Sequence, residues 1–266
     1  MKDMLEHMRL LRDERNSMLW WWPRVAPLGA LGVREKVQMP ETTLVRCEEP
    51  LPLAWACEWE DGGHPPDPPW LAEVERAVRG HGYARPCFLR GDGASAKHDW
   101  QRTCYVEAPE DTAWHVMAIC QWHLMIDLGP DLRGFAVRDY VPLPEGPVMV
   151  AQAYENMPLR PEWRYFVRDG EVECRHPYWP VAAGERGRPD VEDWQALLAE
   201  QSKETPEQVA LLTRWSARLC EALGGGYWSL DYMAGPFDSL WFTDCALGEV
   251  SWHDAQCEYA PKEADD

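Results

Sequence analysis

The stretch WSLDYMAGPFDSLWFTD, residues 228–244, reads as two largely apolar strands, 227–233 and 239–244, joined by a turn at Gly235-Pro236. A connection this short pairs its strands antiparallel, so the C-terminal third of the chain predicts a hairpin within a sheet. Each strand carries one acid, Asp231 inside the first and Asp244 at the end of the second. Burying an unpaired carboxylate costs several kcal/mol, roughly 2–7 even for a neutral polar group, so both acids require a partner. A shared Mg²⁺ bridging to phosphates is one such partner, because it takes hard oxygen ligands; backbone N–H groups are the other. Glu249 and Ser251 follow closely and offer further oxygens.

Working outward, residues 163–167 and 172–176 flank Arg168-Asp169-Gly170-Glu171, where Asp-Gly is a strong hairpin signal. Between the two hairpins, Thr205-Pro206-Glu207-Gln208 supplies an N-cap, a proline at the first helical position and a capping-box Gln. Leu212, Trp215, Leu219 and Leu223 follow at helical spacing, and Gly224-Gly225-Gly226 ends the helix. Nearer the start, 61–69 reads as a loop, 70–78 as a helix, and 86–90 and 103–107 as strands. Asp111 caps a predicted helix whose Trp114, Met117, Ala118, Gln121, Trp122 and Met125 share one side, and 135–141 reads as a strand. Strands, then helices, then strands without steady alternation predict an α+β fold with antiparallel sheets. At the N-terminus, Met4, Leu5, Met8 and Leu11 predict a docking helix. Trp20-Trp21-Trp22 reads as a packed lid over the core or an interfacial anchor.

Composition narrows the function classes. With 45% hydrophobic and 27% charged residues the chain is that of a soluble globular protein. A formal charge of −19 without a basic stripe argues against nucleic-acid binding, and no segment is apolar enough for a bilayer. Local Arg and Lys with a bound cation can still hold a phosphate ligand. Nine cysteines without a CxxC pair or a secretory leader predict reduced thiols and a cytoplasmic location. His98, His115, His123 and His176 show no metal-ligand spacing.

Two further stretches carry candidate chemistry. In Phe88-Leu89-Arg90-Gly91-Asp92-Gly93-Ala94-Ser95-Ala96-Lys97 a strand delivers Arg90, small residues including Ser95 follow, and Lys97 lies beyond. Small side chains admit phosphate oxygens to backbone N–H groups while the two bases supply charge; a solvated hairpin loop is the alternative reading. In Pro161-Glu162-Trp163-Arg164-Tyr165-Phe166-Val167, Glu162 and Arg164 alternate and so share one strand face, as a structural salt bridge or as ligand contacts.

Taken in order, from about Pro86 to Ser251, these segments resemble the ATP-grasp superfamily. The resemblance is to an atypical branch containing phage and bacterial proteins of unassigned substrate and the eukaryotic cell-division-cycle family that assists assembly of a translation initiation factor. It implies two α+β lobes with antiparallel sheets enclosing a nucleotide cleft. The implied division is an N-terminal helix and pre-ATP-grasp region at 1–85, a small lobe at 86–141, a large lobe at 142–260, and a polar tail at 261–266. It further implies that Arg90 and Lys97, with Ser95 between them, hold phosphates. Arg138, Asp139, Tyr140 and Val141 form the linker strand that reads adenine, and Glu162 and Arg164 approach ribose, phosphate or acceptor. Asp231 and Asp244 bind Mg²⁺, and Lys97 and Arg164 act in catalysis. Arg90 stands where relatives usually carry Lys, and Asp244-Cys245-Ala246 stands where they commonly carry Glu-x-Asn.

The implied activity is that of a Mg·ATP-dependent ligase joining a carboxylate to an amine or thiol through an acylphosphate, with Arg164, Arg175 and His176 as candidates for the acceptor carboxylate. The alternative is a nucleotide-binding assembly protein without ligase turnover, docking a protein partner on its acidic surface.

Overall fold

The computed structural model describes residues 2–29, 37–48, 51–60, 67–82, 86–125, 132–254 and 257–259. The tail at 261–266 and most of the 61–69 loop lie outside the described residues.

The larger sheet grows from the two hairpins. Strands β8 (Glu162–Arg168) and β9 (Glu171–Pro177) turn through Asp169 and Gly170, both at positive φ (48° and 90°), as a tight two-residue hairpin requires. Strands β10 (Tyr227–Ala234) and β11 (Leu240–Leu247) form the second antiparallel pair. A short N-terminal strand, β1 (Val37–Gln38), adds to β11 in parallel, giving the order β1–β11–β10–β8–β9. Helix α8 (Pro206–Ala222), opened by the expected Thr205–Gln208 capping box, covers one face. Its Leu212, Trp215 and Leu219 share a core with Trp163, Tyr165, Leu230 and Tyr232.

Helix α1 (Lys2–Leu11) leads to α2 (Met18–Val25), whose Ser17 N-cap accepts from the Leu19 amide. Helix α2 places Trp21 and Trp22 in the same core, and Trp20 stacks on Trp228. The tryptophan triplet is therefore core packing; its large apolar area is better buried against the sheet than left at an interface.

The smaller sheet has the order β2–β5–β3–β4: β2 (Thr42–Arg46), β5 (Gly134–Asp139), β3 (Cys87–Gly91) and β4 (Tyr105–Val106), all antiparallel. Helices α3 (Pro52–Glu60), α4 (Pro69–Gly82) and α5 (Thr112–Met125) cover it through Trp55, Trp70, Val74 and Ile119. A third cluster of Trp100, Met149, Met157, Trp179 and Leu198 gathers β6 (Met149–Ala151), β7 (Met157–Leu159), α6 (Val181–Gly187) and α7 (Trp194–Gln201) at one side.

Four expectations change. Of the α5 side read from the sequence, Trp114 and Met125 are exposed while Ala118 is buried and Met117 packs on the core; the face most fully buried carries His115, Val116, Ile119, Cys120 and His123. Asp111 lies in a 3₁₀ turn that runs straight into α5, where Thr112 bonds the Pro109 carbonyl. The strand at 103–107 shrinks to two residues because the Thr103 hydroxyl turns back to the Ala96 and Asp99 carbonyls. The boundary expected at Pro86 also cuts through both sheets, since residues 37–46 supply a strand to each.

Candidate functional site

A cleft separates the two sheets. Strand alternation turns Glu162 and Arg164 toward it and buries Trp163 and Tyr165 behind them. Register then aligns four side chains across neighbouring strands: His176 opposite Arg164, Arg164 opposite Asp231, and Asp231 opposite Asp244. Beyond Asp231 the register shifts, so that Tyr232 faces Phe242 and Thr243 is the extra residue of a bulge. The bulge aims the Thr243 carbonyl at Arg138 of the opposite sheet, which donates to it.

Both acids have found partners, and the partners are arginines. Asp231 accepts a two-pronged contact from Arg164, Nε to Oδ1 at 2.8 Å and Nη2 to Oδ2 at 2.9 Å. Asp244 accepts from Arg90 Nη1 at 2.6 Å, across the cleft from β3. Lys97 likewise crosses to Glu162 at 3.6 Å, under the ring of Tyr178 at 3.9 Å. Burial works against the charge on each of these three bases, yet the facing carboxylates override it and all three pKa values end raised. Arg138 lacks such an acid of its own. Burial, and then the charge of Arg90, push its pKa down to about 9, and its Nη2 is buried without a hydrogen-bond partner among the described residues.

Of the sequence-predicted residues, Arg90, Ser95, Lys97, Arg138, Asp139, Tyr140, Val141, Glu162, Asp231 and Asp244 all line the cleft, and Arg164 supports it through Asp231. The Asp139 carboxylate is held by His81 Nδ1 at 2.8 Å. The Val141 carbonyl accepts from Arg160 at 2.8 Å. Asp92 is structural: buried, it accepts from the amides of Arg133 and Gly134 and from the Ser17 hydroxyl. Gly91 is closely approached: a Cβ there would lie 2.7 Å from His123 Nε2 and 2.8 Å from Leu132 Cδ1, so both side chains would have to shift.

Three expected contributors lie elsewhere. Glu249 is exposed on a 3₁₀ turn, Ser251 bonds Ser229 and the Leu247 carbonyl, and Arg175 reaches Glu204, which accepts from Tyr165 on the α8 side of the sheet. The lining residues that were missed include the polar Arg160 and Tyr178 and the apolar Trp100, Met157 and Met233. A charged residue at the end of the apolar run Met157-Pro158-Leu159 was the available signal for Arg160; Tyr178 gave none.

Two lobes with mainly antiparallel sheets, and bases of one reaching acids of the other, define the ATP-grasp class. A family described as "ATP-grasp domain, R2K clade family 3" matches residues 65–212, and the chain belongs to that family. No curated protein matches the chain. Among solved structures, C-terminally truncated Cdc123 from Schizosaccharomyces pombe aligns over 90% of this chain and 85% of its own, with a TM-score of 0.52 at 10% identity. A RimK domain ATP-grasp protein from Sphaerobacter thermophilus aligns over 86% of this chain and 58% of its own, at 15% identity and a TM-score of 0.41. A D-alanine–D-alanine ligase from Bacillus anthracis, solved with ATP, aligns over 82% and 52%, at 10% identity and a TM-score of 0.41. The chain thus spans little more than half the length of the last two. Among the described residues no helix is long and apolar enough to cross a membrane, and all nine cysteines are free thiols.

Proposed function

We propose that this cleft binds ATP with Mg²⁺ and that the chain ligates a carboxylate to an amine or thiol. The observation that carries the reading is the pair of ion pairs spanning the cleft, Arg90 to Asp244 and Lys97 to Glu162. A triphosphate entering between them takes the two small-lobe bases as charge-assisted donors, and the large-lobe acids are released to a cation. Asp231 and Asp244, opposite each other on adjacent strands, would offer Mg²⁺ two hard oxygen ligands. A cation held there would supply charge neutralisation for the phosphates. Arg138 adds a further fixed positive charge in the wall, and Phe88, Met157 and Met233 give the cleft apolar surface for a base.

In the proposed reaction a substrate carboxylate oxygen bonds to the γ-phosphorus as the bond to ADP breaks. An amine or thiol then bonds to the acyl carbon of the resulting acylphosphate, phosphate leaves, and the nucleophile loses its proton. Lys97 and Arg164 serve by position and charge, and no side chain is consumed. Isothermal titration with a non-hydrolysable ATP analogue, with and without Mg²⁺, tests the shared premise. Magnesium-dependent binding is expected, and absence of binding to folded protein overturns it. Lys97→Ala and Asp244→Ala are each expected to weaken that binding by at least about 1 kcal/mol.

One observation favours the second reading, nucleotide binding without ligation. Ala246, which stands where ATP-grasp relatives commonly carry Asn, brings no oxygen to the metal. Stoichiometric ADP and phosphate release with carboxylate and amine mixtures supports the ligase; bound ATP recovered unchanged supports the binding protein.

A further inference from the structure

We propose that Cys174, His176, His253 and Cys257 form a structural zinc site, separate from the cleft acids. Cys174 and His176 alternate along β9 and so point to the same sheet face. His253 and Cys257 arrive from the segment after β11, far away in sequence, and one ligand atom from each of the four residues lies within 4.8 Å of the others. Zinc bonds of about 2.3 Å to sulfur and about 2.0–2.1 Å to nitrogen set neighbouring donors of a tetrahedron roughly 3.3–3.8 Å apart. Cys174 Sγ and His253 Nδ1 already stand 3.8 Å apart, so closing the set shortens any donor–donor distance by at most about 1.5 Å.

The surrounding contacts are those of a ligand set. His253 Nε2 bonds the Tyr227 hydroxyl at 2.9 Å, which fixes the ring and leaves Nδ1 toward the sulfur. The same ring stacks on Phe166 at 3.5 Å, while His176 Nε2 is buried with no hydrogen-bond partner among the described residues. Two thiols and two imidazoles select zinc over magnesium or calcium. Binding releases two thiol protons and needs no oxidant. The ion would fasten the C-terminal segment to β9, where the Trp252 carbonyl reaches Arg164 Nη1 at 3.5 Å. The Arg164–Asp231 pair would then rest on a fixed neighbour.

The test is cobalt titration of the full chain, chelator-treated and kept in reductant. Tetrahedral cobalt bands with a thiolate charge-transfer band, saturating at one equivalent per chain and displaced by zinc, are expected. The Cys174→Ser/Cys257→Ser double variant should lose the thiolate band and at least tenfold in cobalt affinity, whereas Cys57→Ser, an exposed cysteine outside the cluster, should lose neither. The proposal is overturned if folded wild-type protein gives only the weak octahedral spectrum that carboxylates such as Asp231 and Asp244 would produce. It is equally overturned if the double variant keeps the thiolate band, or if Cys174 and Cys257 are found as a disulfide in reductant. Should the double variant not fold, the wild-type spectrum decides alone. Nucleotide binding is not part of the readout, so this site and the ATP reading fail independently.

Discussion

The two cleft aspartates are not equivalent as probes. Asp231 is nearly buried and holds Arg164 with two contacts, so replacing it strands a buried guanidinium. Asp231→Asn is expected to cost about 3 kcal/mol of stability in urea unfolding, whatever it does to nucleotide binding. Asp244 makes a single contact to Arg90, and its side chain is 32% exposed where that of Asp231 is 9%. Asp244→Asn should therefore lower stability less while weakening Mg·ATP binding; equal losses of stability in the two variants would contradict this ranking. Both acids were legible in the sequence because a carboxylate inside an apolar strand stands out. Their arginine partners were not paired to them, because alternation tells which face a residue occupies and is silent about what lies across a cleft. Arg160 and Tyr178 escaped for the same reason.

Among the elements, the hairpin at Asp169-Gly170 and the Thr205 capping box were readable because their causes lie within a few residues. Thr205→Ala is expected to cost about 1 kcal/mol in thermal or urea unfolding, by leaving an amide of the first helical turn without its acceptor. Helix α5 is apolar nearly all round, and a pattern without a polar face cannot say which side is inside. Its inner face carries a consequence for pH. Burial and the charge of Arg90 push the His123 pKa down to about 4, from 6.5 in the unfolded chain. The folded state thus refuses a proton that the unfolded state accepts. The contribution is complete above pH 6.5 and is lost as pH falls toward 4, on the order of 3 kcal/mol. His123→Gln should flatten the slope of unfolding free energy against pH in that window; an unchanged slope would assign the acid sensitivity elsewhere.

At the scale of the molecule, the class of fold was legible and the lacing of its N-terminal region was not. Strand β1 pairs with β11 about two hundred residues away, and no local pattern encodes so distant a partner. A chain beginning at residue 86 would lose β1, β2 and the core side chains Trp21, Trp55 and Trp70. We expect it to lack a cooperative thermal transition; a sharp melt with native-like near-ultraviolet dichroism would show that residues 1–85 are dispensable.

The join between β1 and β2 bears on how the cleft can move. Gln38 ends a strand of one sheet and Thr42 begins a strand of the other, and Pro40 between them lines the cleft. Four Cα steps of about 3.8 Å can never stretch beyond roughly 15 Å, so along that edge the sheets are bound like pages at a spine. If the lobes swing apart they open away from that edge, toward the β9 side of the larger sheet, where Tyr178 meets Lys97.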